Sequence, residues 1–194
     1  MRVGLFGGTF DPPHVGHWLV AVDAYEVLGL DRLIFVPAAH QPLKVGQESA
    51  PPLARLAMVQ AMVGDDSRFG VDPIEIERDG LSFTVDTLAA YRNRPQVSEL
   101  FFLVGADVLA SFHRWREPER VQSLATLVVL RRSDHGMLLP AGVAGRVLET
   151  RRVDVSSTEV RARVCAGRSI RGFVPASVEA YVTAAGLYRQ RNHA

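Results

Sequence analysis

An apolar run followed directly by a glycine-rich loop constrains this chain most. Residues 3–6 have the composition of a buried strand, and residues 7–17 follow as GGTFDPPHVGH. Two adjacent glycines let the backbone turn sharply and approach a ligand closely, because neither carries a Cβ atom. The stretch from Val15 onward has a helical pattern, and the free N–H groups at a helix N-terminus stabilise an anion. The segment therefore predicts a strand, a phosphate-binding loop and a helix.

Two histidines lie where this helix begins. His14 and His17 are three residues apart, so within one helical turn they share a face and can reach one bound group. The alternative interpretations are that the histidines form half of a metal site or an exposed pair, and that the glycines form only a tight turn. The loop lacks the GK[ST] of the Walker pattern and the third glycine of the GxGxxG fingerprint. What remains is an HxGH pattern.

The HVGH string resembles the (T/H)xGH signature of the nucleotidyltransferase superfamily, and histidines beside a glycine loop suit the nucleotidyl transfer to a phosphate that this resemblance implies. A phosphate monoester, with a second pKa of about 6, is already largely dianionic at neutral pH, so no Ser, Cys or carboxylate is needed to activate it. The remaining tasks are to bring two anions together and to stabilise charge on the transferring group. A neutral imidazole can donate a hydrogen bond for that purpose.

Composition limits the classes of function. A chain of 194 residues is most simply one domain, spanning 1–194. A formal net charge of +1 argues against a broad surface for nucleic acid. We expect a cytoplasmic protein with no membrane partner, because the sequence shows no signal-peptide pattern and no apolar run long enough to span a bilayer. Cys165 is the single cysteine, and its apolar neighbours predict a buried or half-buried thiol.

Short apolar runs alternate with helical patterns along the chain. This alternation predicts an α/β fold: a doubly wound, Rossmann-like parallel sheet with helices on both faces, in a single domain. The predicted strands are residues 3–6, 33–36, 69–76, 100–104, 126–130 and 152–155. The predicted helices are residues 15–28, 53–63, 84–91, 158–165 and 176–185. The predicted loops are residues 38–52 and 133–145. Such sheets bind ligands outside the carboxyl ends of their strands, where the glycine loop falls.

A second group of polar residues precedes one of the last helices. Ser156, Ser157 and Thr158 are followed one turn later by Arg161. A hydroxyl residue before a helix is first of all an N-cap. Three hydroxyls and a guanidinium offer more donors than a cap requires, and they predict a second phosphate-binding site.

These motifs resemble those of a known superfamily. HVGH and SSTEVR are similar to the (T/H)xGH and ISSTxxR signatures of the nucleotidyltransferases. Three further segments, IEIERDGLSFTVDTL, FFLVGADVLASFHRW and FVPASVEAYVTAAGLY, resemble stretches of the bacterial nicotinate mononucleotide adenylyltransferases. The resemblance covers nearly the whole chain. It implies transfer of AMP from ATP to nicotinate mononucleotide, which yields deamido-NAD and pyrophosphate in NAD biosynthesis, with Mg²⁺.

The resemblance also implies roles for individual residues. Those expected in catalysis are His14, His17, Lys44 and Arg161; those expected to bind ATP are Gly7, Gly8, Thr9, Phe10, Gly105, Asp107, Ser156, Ser157 and Thr158; those expected to bind the mononucleotide are Thr84 and Trp115. Trp115 would stack on the nicotinate ring and Lys44 would neutralise phosphate charge. Leu43 stands where the family often has histidine, so His40 is an alternative for that position, and Phe83 replaces a tyrosine. We expect Mg²⁺ to arrive on ATP, because the sequence shows no carboxylate cluster that would cage it.

Other interpretations stay open. Phosphopantetheine adenylyltransferases share HxGH and ISSTxVR, but they normally begin TxGH and lack the SFTVDTL segment. A nucleotide-binding sensor without turnover is the alternative from another class. The choice between nicotinate and nicotinamide mononucleotide, and a homo-oligomeric state, are left undecided. Arg55 and Arg78 are expected to be solvated, while Arg131 and Arg132 follow a predicted strand and could face the site.

Overall fold

A single parallel sheet forms the centre of the molecule. The computed structural model describes residues 1–44, 46, 48–131, 139 and 142–189, with the backbone alone for Lys44 and Asp107. The strands are β1 (Arg2–Gly8), β2 (Arg32–Pro37), β3 (Phe69–Val71), β4 (Glu99–Gly105), β5 (Thr126–Arg131) and β6 (Gly145–Glu149). Their order is β3-β2-β1-β4-β5-β6, and every neighbouring pair is parallel. This is the order of the doubly wound Rossmann fold, so the predicted fold class is confirmed.

Helices follow most of the strands. They are α1 (Val15–Leu28), α2 (Pro52–Val63), α3 (Ile74–Arg78), α4 (Thr84–Arg92), α5 (Ala106–Leu109), α6 (Pro118–Leu124), α7 (Ser157–Cys165) and α8 (Ala176–Ala184). Gly29 ends α1 in the left-handed conformation at φ 57°, which glycine adopts without a steric cost. Pro52 opens α2, where its missing N–H is not needed. The five helices predicted from the sequence are confirmed to within one residue at each end.

Both faces of the sheet are covered. Successive side chains of a strand point to opposite faces, so Phe101 and Leu103 pack in one cluster while Phe102 and Val104 pack in the other. The first cluster includes residues of α1, α2, α7 and α8, and the second includes residues of α4, α5 and α6. Burial on both faces explains why the central strands are apolar almost throughout.

One predicted strand is wrong in part and another is wrong throughout. The run 69–76 is strand only as far as Val71, and Ile74 begins α3 because the Asp72 carboxylate accepts a hydrogen bond from its N–H at 3.0 Å. Residues 152–155 are not a strand, and the sixth strand instead begins at Gly145, inside the predicted loop. A Cβ at Gly145 would lie 2.7 Å from the carbonyl oxygen of Leu127, so glycine permits the close pairing of β5 and β6.

The thiol of Cys165 is exposed, so the predicted burial is wrong. Cys165 is the last residue of α7, in which Val160 is the buried residue. Within the part of the chain that the structure describes, no helix combines the length and the apolar character needed to cross a membrane. The cytoplasmic location stays a prediction. Most of the predicted loop at 133–145 lies outside the described residues, and so does Arg132.

Candidate active site

A cleft opens at the carboxyl ends of the strands. It has a volume of about 1060 Å³ and is lined by the loop after β1, the end of β2, the end of β4 and the start of α7. The two halves of the sheet diverge between β1 and β4, and ligands of doubly wound sheets bind at that point. The residues of the predicted site that line this cleft are Gly7, Gly8, Thr9, Phe10, His14, His17, Thr84, Gly105, Trp115, Ser156, Ser157, Thr158 and Arg161.

The two histidines pack against each other at the start of α1. His14 is buried and is the N-cap of the helix. The centroids of the His14 and His17 rings are 3.8 Å apart. The Nδ1 atom of His17 accepts a hydrogen bond from the His14 N–H at 3.2 Å. A ring nitrogen that accepts carries no proton, so a neutral His17 holds its proton on Nε2. The Phe10 ring meets His17 edge-on at 5.1 Å and restricts its orientation.

The start of α7 is joined to the loop after β1. Ser156 caps α7, since its Oγ accepts from the N–H of Glu159 at 3.1 Å. The Ser157 hydroxyl donates to the carbonyl oxygen of Pro12 at 2.8 Å. Arg161 donates to the carbonyl oxygen of Asp11 at 2.8 Å. These two bonds bring the second predicted phosphate motif next to the first, although 145 residues separate Pro12 from Ser157.

Asp11 connects this junction to the end of the chain. Its buried carboxylate accepts from the Tyr188 hydroxyl at 2.7 Å and from the Ala50 N–H at 3.2 Å, and it lies 3.8 Å from the Arg161 guanidinium. Burial and the bond to Asp11 raise the pKa of Tyr188, so its hydroxyl stays a donor. Sequence reasoning missed both residues, although each belongs to a segment that carries the family resemblance.

Arg55 is buried, so its predicted solvation is wrong. Only 1% of the residue is exposed, and its guanidinium donates to four carbonyl oxygens: those of Ala50 at 3.0 Å, Thr9 at 2.8 Å, Ala38 at 2.6 Å and Ala39 at 2.8 Å. Burial lowers the pKa of the guanidinium, and the nearby Asp11 opposes that shift. Arg55 thereby ties the loop after β1 to the segment after β2. Arg78 is exposed, as expected.

Aromatic residues line the opposite wall of the cleft. Trp115 is half-buried, and its ring meets Phe112 at 5.2 Å and Phe102 at 6.1 Å. Thr84 is the first residue of α4, after its N-cap Phe83. The Phe83 ring lies under the Arg116 guanidinium at 4.8 Å. The indole is therefore packed from behind and available as a flat apolar surface on the cleft.

A buried carboxyl group supports this wall from α3. Glu75 is 8% exposed and accepts a hydrogen bond from the Thr87 hydroxyl at 2.7 Å. Burial raises the pKa of the Glu75 carboxyl, while hydrogen bonds from Thr87 and Ser82 oppose the shift. The residue lines the cleft, and sequence reasoning assigned it no role.

The remaining predicted residues differ in position. Arg131 ends β5, lines the cleft and pairs with Glu149 of β6. His40 is exposed at the rim. The side chains of Lys44 and Asp107 lie outside the part of the chain that the structure describes. Among the described residues, no group of three or more His, Cys, Asp or Glu side chains is arranged to hold a metal ion.

Comparison with known proteins gives consistent matches. A family model described as cytidylyltransferase-like matches residues 5–163. A protein of Gemmatimonas aurantiaca named "Probable nicotinate-nucleotide adenylyltransferase" is 52% identical over 98% of this chain and 93% of its own length. A protein of Thermus thermophilus with the same name is 47% identical over 97% of this chain and 100% of its own.

Solved structures share the fold. The Plasmodium falciparum nicotinic acid mononucleotide adenylyltransferase complexed with NaAD has a TM-score of 0.79 to this chain, over 96% of this chain and 97% of its own. The sequence identity is 16%, so this likeness concerns the fold.

Proposed function

The chain belongs to the family of nicotinate-nucleotide adenylyltransferases, and we propose that its cleft transfers AMP from ATP to nicotinate mononucleotide, producing deamido-NAD and pyrophosphate. One observation carries the proposal: the HxGH histidines and the start of α7 meet at a single cleft. Two helix N-termini there face the same space, and each favours negative charge. ATP and a phosphorylated acceptor bring that charge.

The reaction needs a positioned nucleophile and donors for the transferring group. A phosphate oxygen of the mononucleotide attacks the α-phosphorus of ATP, and the bond from that phosphorus to the bridging oxygen of the β-phosphate breaks. Pyrophosphate leaves with the electron pair. No proton has to be removed from the nucleophile, because the phosphate is largely dianionic at neutral pH. The residues act by orientation and by stabilising charge in the transition state.

His14 and His17 are the proposed donors to the α-phosphate. The bond from the His14 N–H fixes the tautomer of His17, so that a neutral ring donates from Nε2. Arg161, Ser156, Ser157 and Thr158 are proposed to hold the β- and γ-phosphates, which become the leaving group. Charge-assisted bonds from a guanidinium suit that task.

The rest of the cleft divides between the two substrates. We assign Gly7, Gly8, Thr9, Phe10 and Gly105 to the nucleoside part of ATP, and Thr84 and Trp115 to the mononucleotide, whose ring would stack on the indole. Lys44 and Asp107 keep the roles that the resemblance implies. Mg²⁺ is proposed to enter bound to ATP, because phosphate oxygens and water are ligands that it prefers.

Pyrophosphate release tests the substrate assignment. Purified protein would be incubated with ATP and Mg²⁺ and, in parallel, with nicotinate mononucleotide, nicotinamide mononucleotide or phosphopantetheine. We expect release with nicotinate mononucleotide, and the ratio to nicotinamide mononucleotide measures how strongly the site prefers a carboxylate. Pyrophosphate release with phosphopantetheine alone would contradict the assignment of nicotinate mononucleotide as the acceptor. ATP binding without pyrophosphate release in any arm would favour a nucleotide-binding sensor.

A further inference from the structure

A chain of hydrogen bonds runs behind the wall assigned to the mononucleotide. The Ala39 N–H donates to the Ser82 Oγ at 2.9 Å, and Ser82 lies near enough to the Glu75 carboxylate to lower its pKa. The Thr87 hydroxyl donates to the same carboxylate at 2.7 Å. Ser82 precedes the N-cap of α4 by one residue and Thr87 lies in its first turn. Glu75 is therefore bonded to the first turn of α4, the helix that Thr84 begins.

The direction of these hydrogen bonds follows from the groups in the chain that can only donate. A backbone N–H and a guanidinium can only donate, so Ser82 must accept from Ala39, and Thr87 must accept from Arg78, whose Nη2 lies at 3.3 Å. The Thr87 hydroxyl then has its own proton left for one acceptor, and the Glu75 carboxylate is that acceptor at 2.7 Å. All three of Glu75, Ser82 and Thr87 are less than 9% exposed. In such surroundings an unpaired polar group is costly, so the chain resists a change at any one bond.

The other end of this chain reaches Arg55. Ala39 donates through its N–H to Ser82 and accepts through its carbonyl oxygen from Arg55 at 2.8 Å. Arg55 also binds the carbonyl oxygen of Thr9, in the loop assigned to ATP. The wall assigned to the mononucleotide and the loop assigned to ATP are thus both bonded to the same short segment after β2. Glu75 is bonded to the mononucleotide wall alone.

We propose that Glu75 is a positioning residue for the mononucleotide: its carboxylate holds Ser82 and the first turn of α4 so that Thr84 and the ring site beside Trp115 keep the geometry that binds this substrate. The inference rests on the proposed function for the identity of that substrate. Glu75 acts through Ser82 and Thr87 and takes no part in the chemical step.

Steady-state kinetics with Glu75→Gln test this role. Glutamine keeps the shape but carries no charge and offers one acceptor oxygen in place of two, so the bond from the Thr87 hydroxyl is weakened or lost. We expect the KM for the mononucleotide to rise about fivefold or more, which corresponds to one hydrogen bond, with kcat and the KM for ATP nearly unchanged. Glu77→Gln is the matched control, because Glu77 is exposed on the same helix. Equal rises in both KM values, or no rise, would overturn the proposal.

Thr87 provides a second route if Glu75→Gln fails to fold. Thr87→Val removes the hydroxyl at constant shape, and Thr87→Ser retains it. The proposal requires a raised mononucleotide KM in the first variant and a value near that of the unmodified protein in the second. Identical values in the two variants would refute it. The unmodified protein is assayed alongside: absence of turnover there refutes the proposed function, whereas turnover with unshifted variants refutes the role of Glu75.

Discussion

Replacing Arg55 by methionine should destabilise the fold strongly. Methionine fills much of the volume of the aliphatic stem but removes the donors to four carbonyl oxygens, at a residue that is 1% exposed. A hydrogen bond to a charged group contributes roughly 1.5–3 kcal/mol, but four such bonds do not add, and water from the adjacent cleft can reach part of the space. A buried carbonyl oxygen left without a partner costs about 1–3 kcal/mol, and the Asp11 carboxylate nearby also loses a favourable charge.

We therefore expect the free energy of unfolding to fall by about 4 kcal/mol, less than the sum of four such bonds. For a chain of this size, that loss corresponds to a fall in Tm of roughly 8–16 °C. Urea unfolding, with the free energy extrapolated to water at an unchanged m-value, measures it. Arg168→Met is the control, since Arg168 is exposed and its replacement should change stability by less than about 0.5 kcal/mol. A loss in Arg55→Met of about 1 kcal/mol or less, the size expected for one neutral hydrogen bond, would refute the reasoning.

Three further predictions concern the cleft. His17→Ala should lower kcat by about 10²-fold or more, while its urea midpoint stays near that of the unmodified protein. His113→Ala is the control and should leave kcat unchanged, because His113 is exposed. An unaltered kcat in folded His17→Ala would reject the role of His17 as a donor to the transition state. Trp115→Ala should raise the KM for the mononucleotide far more than that for ATP, and equal effects would count against ring stacking. Because burial raises the pKa of Glu75 in the folded state, the native protein loses stability as pH rises from the ordinary glutamate pKa through the raised value. Glu75→Gln lacks this titration, so its stability relative to the unmodified protein should increase as the pH rises above the ordinary glutamate pKa of about 4.3, and parallel curves would contradict the shift.

The central sheet was predictable because its signals are local. Apolar runs of strand length, separated by helical periodicity, indicated five of the six strands, and Gly29 and Gly64 lie at the ends of α1 and α2. The sixth strand was misplaced since its identity depends on pairing with β5 rather than on its own composition. In β6, Leu148 is the buried residue of an otherwise exposed segment.

Parts of the cleft were predictable for a similar reason. The glycine loop with His14 and His17, and the hydroxyl cluster with Arg161, are short motifs whose chemistry can be read from adjacent residues. Arg55 could not be identified in this way, because its partners are backbone carbonyls, three of which lie in other segments. Glu75 was equally hidden, since a carboxylate in a short helix has no pattern that distinguishes a buried hydrogen-bonded residue from a solvated one.

The fate of the two ends of ATP tests the proposed reaction most directly. Two preparations of ATP, labelled at the α- or the γ-phosphorus, would each be incubated with the protein, Mg²⁺ and nicotinate mononucleotide, and the products separated. We predict that the α-label enters a dinucleotide with the mass of deamido-NAD, in amounts equal to the γ-label recovered as pyrophosphate. Recovery of the γ-label as inorganic phosphate, or an α-label that remains in mononucleotides, would contradict adenylyl transfer by this cleft.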